Sequence, residues 1–193
     1  GSLKFGRGAV FFRKGLVVFQ FSLSIILIVG MIVIYRQMNY IQTKNIGYDR
    51  ENLVYVPIEG DLIKNYKLFK DEAEKLPGIL NISKMRNSPT IIEHHTGSIG
   101  WPGKDPNLIV SFADAVVGYD FVKTMKLQLN EGRDFSTDFA DTASFLLNET
   151  AAARMGFKQA VGQTVTWGNR PGKVVGVLKD FHFSSMHQTI DPL

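Results

Sequence analysis

The run Gly15–Tyr35, GLVVFQFSLSIILIVGMIVIY, constrains this chain more than any other feature, because its 21 residues carry no charge. Only Gln20, Ser22, Ser24 and the closing Tyr35 are polar. At the α-helical rise the run extends about 31 Å, the thickness of a bilayer's hydrocarbon core. It is apolar on every side, so it has no water-facing stripe. In lipid each backbone N–H and C=O must find a partner inside the segment, and a helix supplies one. The run predicts a transmembrane helix over 15–35.

The charge pattern orients that helix. The net charge is +4, and Lys4, Arg7, Arg13 and Lys14 account for all of it, with no acid among residues 1–14. The other 18 basic residues balance the 18 acidic ones. Positive residues collect on the cytoplasmic side, which puts 1–14 inside and the chain from 36 onward outside. Arg36, Lys44 and Arg50 on the far side run against this rule. The neutral remainder offers no basic face to nucleic acid. A cleaved signal peptide needs a shorter apolar core and a small-x-small cleavage site, whereas Tyr35-Arg36-Gln37-Met38 follows here. The run therefore reads as an uncleaved anchor in contact with membrane lipid. Beyond it lie about 158 residues, enough for one or two small lobes with a core. The chain has no cysteine, which removes disulfides, thiolate catalysis and cysteine-ligated zinc. The glycosylation patterns at Asn81 and Asn148 are too common by chance to carry weight.

After Tyr35, Met38 and Ile41 keep helical spacing and no breaker occurs before Gly47, so 36–47 is expected to continue as a stalk helix. Leu53–Ile58 predicts a strand with Pro57 near its end. Asp61–Leu76 predicts an amphipathic helix with Asp61 as N-cap and an apolar stripe of Leu62, Tyr66, Phe69, Ala73 and Leu76. Ile79–Arg86 alternates and predicts a returning strand. Residues 87–106 read mostly as loop, with a short strand near Ser98–Trp101. Leu108–Val116 predicts a strand. Gly118–Met125 predicts a short helix burying Phe121, Val122 and Met125, and a turn is expected around Asn130–Arg133. A second unit follows: a buried strand at Ser144–Asn148, a helix at Glu149–Met155 ended by Gly156, and strands Gln163–Trp167 and Lys173–Leu178 joined through 168–172. The class is α+β, two small strand–helix–strand lobes behind a transmembrane and stalk helix.

Catalytic chemistry finds little support. His94, His95, His182 and His187, with Glu93 or Asp180, are the only candidates for a metal site. Adjacent loop histidines rarely face one ion, and the spacing of His182 and His187 is not that of an HExxH helix. No G-x-S-x-G elbow is present. Residues 97–104, GSIGWPGK, resemble a phosphate loop only loosely, since Pro102 removes an amide donor and no Ser or Thr follows Lys104. No catalytic, metal or cofactor residue is assigned, and no cofactor is expected. Asp180, Phe181, His182 and Phe183 read either as a strand edge with core phenylalanines or as a contact with a neighbouring membrane helix or partner.

Four stretches in order carry a resemblance: RKGLVVFQFSLSIILIVGMIVIYRQMNYIQ leading into GYDRENLVYV, then GYDFVKTMKLQLNEGRDFS, then LLNETAAARMGF with VGQ soon after, then GKVVGVLKDFHFSSMHQTIDPL. Together they resemble the FtsX/MacB-like ABC transporter permeases, specifically the MacB-like periplasmic core domain with its preceding membrane helix. The wording is most similar to the second repeat of large two-repeat permeases of Bacteroidetes-type bacteria. The resemblance implies a bacterial inner-membrane protein with residues 48–193 as a periplasmic core domain. It also implies a separate cytoplasmic ABC ATPase, a second permease copy or paired permease, and a periplasmic substrate or partner protein. Nucleotide hydrolysis would reside on the ATPase, leaving this chain non-catalytic. It would transmit ATP-driven helix motion outward, with the stalk from Arg36 through Tyr40 to Asn45 carrying the coupling. Asp180, Phe181 and His182 would position the return toward the membrane. The family's further membrane helices are absent, so the chain is expected to be a fragment of a longer permease. The rival from another class is a membrane-anchored extracytoplasmic sensor whose α+β domain binds a small ligand.

Overall fold

The computed structural model describes residues 7–44, 46–49, 51–86, 88, 92–139, 141–184 and 188–193. Lys4 of the basic flank, Asn45 of the stalk, Arg50 and His187 lie outside the described residues, as do parts of the loop expected over 87–106. Two compact units are present, residues 1–45 and 46–193.

The first unit is one helix, α1, Arg7–Thr43, 37 residues long. Its length is about 55 Å at 1.5 Å per residue. Gly8–Ile41 is long and apolar enough to cross a membrane, and none of its most apolar window is buried by the protein itself. The helix runs unbroken past Tyr35, so Arg36–Thr43 extends the apolar run as helix. Two of its hydroxyls bond back to the preceding turn: Ser24 Oγ donates to Gln20 O at 2.9 Å, and Thr43 Oγ1 to Asn39 O at 2.8 Å.

In the second unit, α2 spans Leu62–Ala73. Asp61 occupies the N-cap position but makes no side-chain capping bond, contrary to expectation, because its own backbone is already helical. Of the expected stripe, Leu62 and Tyr66 are half-buried and Ala73 is buried, whereas Phe69 and Leu76 face outward. Leu53–Ile58 joins no ladder among the described residues, and Val54, Tyr55 and Val56 are all exposed. Strand propensity without a paired neighbour leaves the segment unlatticed, and Pro57 lacks a donor for one. The expected return strand pairs only at its end: Met85 bridges Val117, Arg86 N–H donates to Val116 O, and Gly118 N–H to Lys84 O.

Two short strands, β1 (His95–Thr96) and β3 (Phe112–Ala113), pair antiparallel. Between them β2 (Ile99–Gly100) joins the main sheet instead. The helix α3 (Phe121–Thr124) buries Phe121 and Val122, with Met125 buried just after, as the spacing predicts. Residues 129–132 form a strand, β4, where a turn is expected from the polar run. A register shift between Leu129 and Glu131 accommodates an extra residue, so the turn-like composition marks a bulge.

The main sheet is built on β7, Arg170–Leu178. It takes β5 (Ser144–Asn148) in parallel along Lys173–Leu178, β6 (Thr164–Trp167) antiparallel at Arg170–Lys173, and β4 antiparallel at Gly176–Leu178. β7 begins three residues earlier than expected because the β6–β7 connection is only Gly168-Asn169. Gly168 takes φ +58 at the first turn position, which suits a two-residue hairpin. The helix α4 (Glu149–Arg154) follows β5 directly. The α+β class holds. Apolar residues gather in two cores. One includes Ile46, Tyr48, Phe121, Met125, Phe181 and Phe183. The other, under the sheet, includes Phe112, Leu147, Ala151, Val165, Val174 and Val177.

Candidate functional site

The segment that follows α1 in sequence and the segment that follows β7 pack onto each other. Ile46–Tyr48 and Phe181–Phe183 belong to the same core, and both phenylalanines are only 2% exposed. His182 N–H donates to Ile46 O at 2.7 Å. The Tyr48 and Phe181 rings meet edge to face at 6.3 Å and 87°, and Phe181 meets Phe183 at 5.5 Å and 62°. Such pairs add about 0.5–1.5 kcal/mol each beyond the area they bury. Gly47 lies between them at φ +92, and a Cβ there would come within 2.5 Å of Phe181 Cβ. The close approach therefore depends on glycine twice, for its backbone angle and for its missing side chain. Just beyond, Asp49 pairs with Lys126, whose ammonium holds the Asp49 carboxyl below the usual carboxylate range.

Asp180 fastens the other side of this junction. Its carboxylate accepts from Thr150 N at 3.0 Å and from Thr150 Oγ1 at 2.8 Å, while its own N–H donates to Glu149 Oε2 at 3.2 Å. The segment leaving β7 is thus tied to the start of α4. Asp180, Phe181 and His182 come together as one group. Phe181 packs in the core, Asp180 bonds through its carboxylate and its N–H, and His182 donates its main-chain N–H. Arg36 and Tyr40 lie exposed on α1, with Lys44 Nζ 5.7 Å from the Tyr40 ring centroid.

Asn148 is the residue that sequence reasoning passed over. It is 0% exposed, and its side chain makes three bonds. Oδ1 accepts from Ala151 N at 2.8 Å, capping α4, and from Leu193 N at 2.9 Å, while Nδ2 donates to Asp191 O at 2.8 Å. Its main-chain N–H donates to Leu193 O at 3.1 Å. One side chain therefore links β5, α4 and the last three residues. An asparagine between a strand and a helix carries an N-cap signature, and that signal points to it. The same burial leaves no room for a glycan on Asn148.

The histidines go different ways. His94 Nδ1 pairs with Asp114, which also takes Arg86 Nη2 at 3.2 Å. His95 lies 3.5 Å from Asp191. Among the described residues no three His, Cys, Asp or Glu side chains are placed to hold a metal ion. A second buried carboxylate, Asp141, is held by Arg133 Nη2 at 3.0 Å, Ser136 N at 2.9 Å and Ser144 Oγ at 2.8 Å. The Arg133 guanidinium, with these donors, pulls its carboxyl far below the ordinary range.

A mixed α/β domain whose two connecting segments are fastened together, preceded by a helix able to cross a membrane, defines the class. The MacB-like periplasmic core domain model matches residues 16–192, and the chain belongs to that family. Two solved structures are similar to it. The periplasmic region of MacB from Actinobacillus actinomycetemcomitans shares 20% identity at TM-score 0.42 over 59% of this chain. The extracellular domain of the noncanonic ABC-type transporter YknZ from Gram-positive bacteria shares 17% at TM-score 0.43 over 65%. The chain spans 50% and 65% of those two chains. No curated protein matches it.

Proposed function

We propose that this chain is the extracytoplasmic domain of an ABC transporter permease together with the helix that anchors it in a bacterial inner membrane. Residues 1–14 are its cytoplasmic flank, 15–35 its span, 36–47 its stalk and 48–193 its periplasmic domain. In this reading the chain is non-catalytic. A cytoplasmic ATPase subunit hydrolyses ATP, a second permease copy or paired permease completes the membrane unit, and the domain couples helix motion to a periplasmic substrate or partner.

The observation that carries the reading is the junction of Ile46–Tyr48 with Asp180–Phe183. A displacement delivered at Ile46 meets a hydrogen bond to His182 and a packed ring cluster, and through Asp180 it reaches α4. Packed cores pass on small shifts because they are close-packed and poorly compressible. Arg36 and Tyr40 on the stalk face of α1 are the residues that would meet neighbouring helices. The test is purification of the full-length parent protein from its native membrane, with mass spectrometry and an ATPase assay. A stoichiometric nucleotide-binding subunit whose ATPase responds to Gly47→Ala supports coupling. A clean preparation with no ATPase but a signalling partner overturns it in favour of a sensor.

A further inference from the structure

Within the uncharged run Gly15–Tyr35, Gln20 alone carries a carboxamide, with two N–H donors and an accepting oxygen. At 1.5 Å per residue its Cα stands about 7.5 Å inside the run's inner end and about 7.5 Å from its midpoint. Four bonds separate that Cα from the amide nitrogen, a reach of about 5 Å, so the group ends in hydrocarbon, short of the headgroups. The protein does not cover it: the most apolar window of α1 is 0% buried, and Gln20 is exposed. Its side chain bonds nothing among the described residues.

Ser24 stands one turn further on. Its Oγ donates its single hydrogen to Gln20 O at 2.9 Å, which leaves the hydroxyl oxygen as an acceptor. At about 100° per residue, Ser24, Leu27 and Met31 fall within about 40° of Gln20, whereas Ser22 and Val29 lie on the far side of the helix.

An amide in hydrocarbon has no water to bond, so it stays unpaired at a large cost or meets another polar group at its own depth. A helix of different sequence would match that depth and that face only by coincidence. A second copy matches both by identity. The basic flank 1–14 gives two copies the same orientation, so their helices run parallel and their Gln20 residues lie at one level. A carboxamide is also its own complement, because each can donate to the other's oxygen. Polar side chains hold membrane helices together in this way. We infer that the Gln20–Ser24 face of α1 is a hydrogen-bonded contact between two copies of this chain inside the bilayer. The inference deepens the proposed pairing of permease copies and rests on α1 being a membrane span; it involves neither an ATPase nor a substrate.

The experiment uses the full chain in phosphatidylcholine vesicles. The chain has no cysteine, so each introduced thiol is the only one. Gly8→Cys, where a side chain meets nothing within 4 Å, carries a donor or an acceptor dye. Oriented circular dichroism reports whether α1 crosses the bilayer; a helix lying flat sinks the span and the inference with it. With α1 inserted, energy transfer is expected to show self-association that Gln20→Leu weakens on the order of three- to thirtyfold and Ser22→Ala leaves unchanged. Under oxidation Leu27→Cys and Met31→Cys should give disulfide-linked dimers, and Val29→Cys should not. An inserted chain that stays monomeric, association that survives Gln20→Leu, or cross-linking that favours position 29 overturns the contact while leaving the span intact.

Discussion

Gly47→Ala tests the junction directly, because a second glycine provides its own control. Gly47 and Gly78 have nearly the same backbone angle, φ +92 and φ +94. A side chain in that region costs roughly 1–2 kcal/mol at either position. They differ in what a Cβ would meet. At Gly78 nothing lies within 4 Å, whereas at Gly47 Phe181 Cβ lies at 2.5 Å, Phe181 Cα at 2.8 Å and Asp180 O at 3.1 Å. Phe181 is buried, so it cannot swing into solvent to relieve the overlap. Overpacking of this kind adds about 1–3 kcal/mol. Gly47→Ala should therefore lose about 2–5 kcal/mol and Gly78→Ala only about 1–2. The assay is denaturant unfolding followed by tryptophan fluorescence. Both tryptophans, Trp101 and Trp167, lie in the second unit, so α1 does not contribute to the signal. Equal losses in the two variants would refute the reasoning, since they would mean that Phe181 does not constrain the segment at Gly47.

Three further outcomes follow from other residues. Asn148→Ala removes the α4 cap and orphans Leu193 N–H, and should cost about 2–4 kcal/mol, with faster amide exchange at Ala151 and Leu193 as the local signature. Asp180→Ala takes both acceptors from Thr150 and should cost about 1–2 kcal/mol, read as a shift in the denaturation midpoint with unchanged slope. The Asp141 carboxyl is held far below the ordinary range by Arg133, so its contribution is present at neutral pH and is lost as pH falls below about 4. The stability gap between wild type and Asp141→Asn should therefore be widest near pH 7 and shrink on acidification; a constant gap would contradict the ion pair.

The junction was only partly legible in the chain. The aromatic run Phe181-His182-Phe183 is visible as a string of letters, and its burial follows from alternating apolar residues. That it packs on Ile46–Tyr48, more than 130 residues away, is not visible locally. Gly47 reads as a helix stop, yet its tighter constraint comes from Phe181. Asn148 was hidden because its partners Asp191 and Leu193 are remote, although its capping bond to Ala151 is local. The strand expected at Leu53–Ile58 rested on propensity, and propensity supplies no partner strand.

Length, hydropathy and charge are properties that add along the chain, and they determine α1, its ability to span a bilayer and the neutral domain behind it. Periodicity likewise determines β5, α4 and the inward face of α3, since neighbours in sequence share the burial. Pairing is a property of two distant segments. Only the tertiary structure decided that β7 takes three partners, that β4 is a bulged strand instead of a turn, and that Asp180 ties the segment after β7 to the first turn of α4. It also set Asn148 against the remote Asp191 and Leu193, because a buried amide can bond only what the folded chain places beside it.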